Sequence, residues 1–152
     1  MPRKNIPLER EVLADIRASF ARIPWLLVWH NKERFIETPD GQTQWVPGLC
    51  EGSADLVGII RMPDWEGDRY RNGLFLAIEV KRPGESPREE QRAFLDRVQC
   101  MGGIAGWCSS VAGAVELVYS ARGHRAEDLA ELNAACAAVR ARRVRAPVKV
   151  AP

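Results

Sequence analysis

An α/β domain with a central mixed sheet flanked by helices is the fold class that the sequence predicts, on three observations. An amphipathic helical stripe opens the chain, three β-patterned runs follow it, and a capped helix then separates the third run from a fourth. A strand, a helix and a strand in close succession imply a right-handed crossover, with the last strand parallel to the third. The 152 residues, 46% hydrophobic and 28% charged, suit one such domain better than two.

From Leu8 to Ile23, apolar residues recur at Val12, Leu13, Ile16, Phe20 and Ile23, the stripe of an amphipathic helix. Glu9 falls on that stripe and should turn inward, whereas Glu11 and Asp15 fall on the solvent side. Trp25 to His30 is a short β-branched and aromatic run that reads as a strand, and Glu37 through Gly41 is rich in turn formers. Asp55 to Ile60 is the second strand. Leu74 to Lys81 is the third, with Leu74, Leu76, Ile78 and Val80 on one face and Phe75, Ala77, Glu79 and Lys81 on the other. Between these two, the polar segment from Met62 ends in Asn72-Gly73, which suits the turn of an antiparallel hairpin. Ser86-Pro87-Arg88-Glu89 predicts a helix start, with Ser86 as N-cap, Pro87 at the first helical position and Glu89 reaching back. Phe94, Leu95 and Val98 form its inward stripe, and Gln91 stands one turn earlier on the same stripe. Gly102-Gly103 ends it, Ile104 to Cys108 is a short strand, and Val111 to Tyr119 and Glu127 to Arg142 complete the order α-β-β-β-α-β-α as helices.

Lys and Arg total 22 against 20 Asp and Glu, a balance that does not by itself mark a nucleic-acid binder. The distribution is uneven: residues 122–149 hold seven basic and three acidic residues, so an acidic body carries a basic tail. No apolar run reaches the roughly 18 residues of a membrane span, and a cytoplasmic protein with no membrane partner is expected. Cys50, Cys100, Cys108 and Cys136 contain no C-x-x-C pair, which argues against zinc and for inert thiols.

The feature that calls for chemistry is Glu79 and Lys81, two charges on one face of the most apolar strand. Burying even one ionised group costs several kcal/mol unless it is paired or bound to a metal. An internal Glu–Lys ion pair is one explanation. Asp55 supplies another, because it opens the neighbouring strand directly after Gly52-Ser53-Ala54, where small residues permit close approach. Asp55, Glu79 and the backbone carbonyl of Val80 would then offer a hard cation such as Mg²⁺ three oxygens, leaving positions for water and a phosphate. With Lys81 to neutralise charge on the phosphoryl oxygens, this set suits phosphodiester hydrolysis. The acidic stretch Asp64-x-Glu66-x-Asp68 lacks the glycine of a calcium loop and reads as solvated.

Gly52-Ser53-Ala54-Asp55-Leu56-Val57-Gly58, Phe75-Leu76-Ala77-Ile78-Glu79-Val80-Lys81-Arg82-Pro83, Glu90-Gln91-x-x-Phe94-Leu95 and Gly102-Gly103, in this order, resemble the VRR-NUC domain. This is the virus-type replication-repair branch of the PD-(D/E)XK nuclease superfamily, and the likeness runs from about Glu9 to Tyr119. It implies a restriction-endonuclease-like core over residues 1–120, followed by a C-terminal helix and basic tail over 121–152. By the same resemblance Asp55 and Glu79 are metal-binding carboxylates, Lys81 the catalytic lysine, Gln91 the glutamine that orders the site, and Glu9 the helix-one acid, with Glu11 as its competitor. Mg²⁺ or Mn²⁺ is the implied cofactor. Small stand-alone members of the family are phage or bacterial and are similar in size and core to Holliday-junction resolvases. They imply cleavage of branched or flapped DNA in repair. Because a four-way junction presents two scissile strands related by two-fold symmetry and one subunit carries one site, a homodimer is expected. Where family members often carry Arg-Asn, this chain has His30-Asn31, and Asn31, Ser53 and Arg82 are candidates for DNA contacts. Two other readings are a non-catalytic DNA-binding module and a restriction-like nuclease on linear DNA; the latter needs base-reading elements that 152 residues hardly accommodate.

Overall fold

The computed structural model describes residues 6–63 and 73–123. In chain order these form α1 (Glu9–Phe20), β1 (Leu26–His30), β2 (Arg34–Glu37), β3 (Thr43–Val46), β4 (Leu56–Arg61), β5 (Gly73–Val80), α2 (Glu89–Cys100), β6 (Ile104–Cys108) and α3 (Val111–Ala121). The central sheet has the order β1-β4-β5-β6. β4 runs antiparallel to both β1 and β5, and β6 runs parallel to β5, so the sheet is mixed as the element order predicts.

Alternation along the strands sends two sets of residues to two helical layers. On one face Val12, Ile16 and Phe20 of α1 and Ala114, Val115 and Val118 of α3 close over Leu56, Ile60, Leu76, Ile78 and Val80. Each large aliphatic side chain so buried contributes about 1.5–3 kcal/mol relative to exposure. On the other face, α2 sets Leu95, flanked by Phe94 and Val98, against Ala54, Ala77 and Ala105. Three alanines under one helix hold it close to the sheet, and this closeness carries its first turn to the end of β5.

Two features differ from the sequence expectation. Glu37–Gly41 does turn, but as part of the connection in a separate two-stranded ribbon in which Phe35 faces Trp45. Nearly every ribbon residue is exposed, so no alternation of polarity marked these strands. Helix α2 begins at Glu89 rather than Pro87, and Ser86 and Pro87 remain in the preceding loop. The reach-back expected of Glu89 is made by Gln91, whose Oε1 accepts from the Arg88 backbone N–H at 2.9 Å. Because the other end of the Gln91 amide is held by Glu79, the helix starts where Gln91 can serve both partners.

Cys108 is buried, and burial pushes its thiol up to about 12, while Cys50 and Cys100 are exposed and unbridged. Among the described residues no helix is long and apolar enough to cross a membrane. The helix expected over Glu127–Arg142, the basic tail, Cys136 and the Asp64-x-Glu66-x-Asp68 stretch with Trp65 and Tyr70 lie outside the described residues.

Candidate active site

The site forms where β1 and β5 finish and β4 begins. Asp55 precedes β4, and its backbone carbonyl accepts from Asn31 N–H at 2.8 Å just beyond β1. The ladder between β4 and β5 ends at Leu56 opposite Ile78, so the next inward amide of β5, that of Val80, needs another acceptor. Asp55 Oδ2 supplies it at 2.8 Å. One carboxylate is thereby fixed against the strand that carries the other.

Glu79 is fully buried. Its Oε1 accepts from Gln91 Nε2 and lies 2.5 Å from Lys81 Nζ, whereas Oε2 is buried with no hydrogen-bond partner. Burial, reinforced by the nearby Asp55 charge, outweighs the hydrogen bond and charge of Lys81 and raises the Glu79 carboxyl to about 7. Lys81, also buried, is anchored through its backbone N–H to Cys108 O at 2.9 Å, and its Nζ stands 4.0 Å from Glu9 Oε2. Burial raises the pKa of Glu9, opposed by Lys81. Glu11 is employed elsewhere, accepting from the Leu8 backbone N–H at 2.9 Å at the start of α1. Of the two acids weighed for helix one, the structure brings Glu9 to the site.

The loop before Asp55 is braced from two sides. Asn31 Nδ2 donates to Ser53 Oγ at 2.8 Å and to Ala54 O at 2.9 Å, and Ser53 Oγ donates to Cys50 O at 2.6 Å. Gly52 adopts φ +74°, and a Cβ there would lie 2.9 Å from the Glu90 backbone, so the loop rests directly on the first turn of α2. Asn31 and Ser53 are thus engaged within the protein, and Arg82 is half-buried beside Lys81. His30 lines the site with its pKa lowered by burial and by the Arg17 and Lys32 charges, which keeps it neutral at pH 7.

These groups border an open cavity of about 830 Å³. Lys32, Glu33, Glu85 and Arg88 complete its rim and were not singled out in the sequence. Their signal was positional: charged residues directly after β1 and in the loop that leaves β5. Chemically, the cavity joins two adjacent carboxylates, one of them with an unpartnered oxygen, to a buried lysine.

A mixed sheet with an acid before one strand and Glu-x-Lys closing the next is the arrangement of a PD-(D/E)XK-like nuclease core. Residues 41–112 match the family model described as the VRR-NUC domain, a nuclease domain, to which this stretch of the chain is similar. The match includes Asp55, Glu79, Lys81 and Gln91, while Glu9 and Asn31 lie before it. No curated protein and no solved structure matches the chain.

Proposed function

We propose that the protein is a Mg²⁺- or Mn²⁺-dependent DNA endonuclease that hydrolyses phosphodiester bonds in branched DNA, a Holliday junction or a flap. The observation that carries this reading is Glu79 Oε2, a buried carboxylate oxygen without a donor, beside the Asp55 carboxylate. Lys81 engages only Oε1 of Glu79, so Oε2 is not satisfied by that cation. Hard oxygen donors in this number fit Mg²⁺, which keeps several waters and takes one or two carboxylates. Asp55, Glu79 and the Val80 carbonyl would hold the ion. When bound, such an ion lowers the pKa of a water and neutralises charge on a phosphoryl oxygen.

The chain's own groups divide the remaining work. Gln91 holds Glu79 in one orientation by donating to Oε1 while the Arg88 amide fixes its other end. Lys81 keeps a cation at the cavity wall, where it stabilises the charge that gathers on the scissile phosphate or orients the attacking water. Glu9, 4.0 Å from Lys81, holds that ammonium from the helix side. Asn31 and Ser53 set the position of Asp55 through the loop they brace, and Arg82 is left as the candidate phosphate contact. A homodimer acting in the cytoplasm of a bacterium or a phage-infected cell completes the reading.

The Lys81–Glu79 ion pair favours a second reading, a non-catalytic DNA-binding module in which the charges only satisfy one another. One experiment separates the readings: four-way junction, flap, single-stranded and linear duplex DNA, each with Mg²⁺, Mn²⁺ or EDTA. The nuclease reading expects metal-dependent cutting of junction or flap in preference to linear duplex. Binding without cutting in every lane would establish the module, and equal cutting of linear duplex would establish the restriction-like alternative.

A further inference from the structure

Four strands spaced about 4.8 Å apart make a sheet roughly 14 Å across between its outer strands. Helices pack about 8–10 Å apart, so a face of this width takes two. One face does carry two, α1 and α3. Among the described residues the other carries α2 alone, seated over Ala77 and Ala105 on the β5–β6 side. The β1–β4 side is bare: Leu27 is 59% exposed, Trp29 46%, Ile59 43% and Phe75 39%. Leu27 pairs with Ile59 and Ile59 with Phe75, which makes a continuous row across three strands, and Trp29 follows two residues along β1 on the same face. The row lies toward the end of the sheet opposite Asp55 and Lys81, so the nuclease site does not account for it.

The chain itself is delivered to this place. At the end of α3, Tyr119 meets Trp25 edge-on with ring centroids 4.8 Å apart, and the Arg122 guanidinium lies 4.2 Å above the Trp25 ring. Trp25 stands two residues before Leu27 on the outermost strand. The chain therefore reaches Gly123 at the β1 edge, with residues 124–152 still to follow. In that remainder Leu129, Leu132, Cys136 and Val139 fall at i, i+3, i+7 and i+10, a single apolar stripe, with Glu127, Glu131 and Arg142 off it. The six residues 123–128 span about 20 Å when extended, enough to round one edge strand.

We propose that residues 127–142 dock on the bare half of the sheet beside α2, setting Leu129, Leu132, Cys136 and Val139 against Leu27, Trp29, Ile59 and Phe75. This segment is the second helix of that face, and it covers an apolar row that would otherwise invite association.

The test uses the full chain with Cys50→Ser, Cys100→Ser and Ile59→Cys, keeping Cys136. Mild oxidation should give an intrachain disulfide between positions 59 and 136, mapped by peptide mass in the monomer band. The same background with Glu51→Cys in place of Ile59→Cys should stay unlinked. An interchain 59–59 or 59–136 disulfide would assign the face to a second copy and overturn the proposal, as would a yield no higher than the control. Independently, Leu132→Asp should lower the thermal midpoint by several degrees and raise hydrophobic-dye binding well above Leu132→Ala. Unchanged melting and dye binding in Leu132→Asp would also overturn it.

Discussion

At Glu79 one oxygen is held by Gln91 and Lys81 while the other faces no donor, and the whole side chain is buried. Its folded-state pKa near 7 lies above the ordinary 4.5, so the folded protein binds this proton more tightly than the unfolded chain. The stabilisation is therefore fully present below about pH 4.5 and is lost as pH rises toward and past 7, on the order of 3 kcal/mol in all. Glu9, raised chiefly by burial, adds in the same direction. In EDTA the thermal midpoint should fall between about pH 5 and 8, and Glu79→Gln, which cannot ionise, should flatten that fall. Parallel midpoint profiles for the two proteins would refute the assignment. The neighbouring groups are separated by role. Asp55→Asn, Glu79→Gln and Lys81→Ala should each lower cleavage by about 100-fold or more with circular dichroism unchanged, since none of them carries the packing. Calorimetric titration with Mn²⁺ should show binding lost in Asp55→Asn and kept in Lys81→Ala; the reverse order, or activity retained in any two variants, rejects the roles.

At the level of elements, the loop Gly48–Ala54 and the first turn of α2 are fitted to each other, and Gly52 is where they meet. Gly52→Ala would place a Cβ 2.9 Å from the Glu90 backbone and at a φ of +74°, so it should cost about 1–3 kcal/mol in urea unfolding and displace Asp55 enough to impair cleavage of the folded enzyme. Gly102→Ala is the control: its φ is +85°, but nothing lies within 4 Å, so stability alone should fall. Equal cleavage loss in both would show that the contact with α2 does not set the site. The same elements show what a sequence can reveal. The apolar alternation of β5 assigned Leu76, Ile78 and Val80 to the core, and the charges that interrupt it marked Glu79 and Lys81. Gln91 was readable as a polar residue on an apolar stripe. The start of α2 was not, because Ser86-Pro87 offers a good local cap and only the tertiary contact with Glu79 draws Gln91 into that position. The ribbon of β2 and β3 was hidden for the opposite reason: exposed on both faces, it has no buried side to impose a period. Asn31 drew attention because His30-Asn31 stands where family members often carry Arg-Asn, yet its bracing of Ser53 and Ala54 spans more than twenty positions and no local pattern encodes it.

For the whole molecule, the decisive quantity is the number of sites. If the proposed Asp55–Glu79–Lys81 cluster cuts, a chain of 17.0 kDa with one such cluster would cut one strand at a time, whereas resolving a four-way junction needs two cuts placed symmetrically. Under the proposed junction-cutting function, a two-fold dimer, the commonest soluble assembly, would supply the second cluster. Co-expressing the wild type with Lys81→Ala at equal levels should then give about half heterodimers, each with one working cluster, if association is unbiased. On a plasmid with an extruded cruciform, the wild-type dimer should produce linear DNA by paired cuts within one binding event. The heterodimer should produce nicked circles, and the ratio of nicked to linear product should rise in proportion to its share. A purified heterodimer with distinct tags on its two subunits makes the measurement direct. If that species linearises the cruciform as efficiently as the wild type, or if light scattering at micromolar concentration gives 17 kDa for fully active enzyme, the clusters act singly and flap cutting by a monomer becomes the better account.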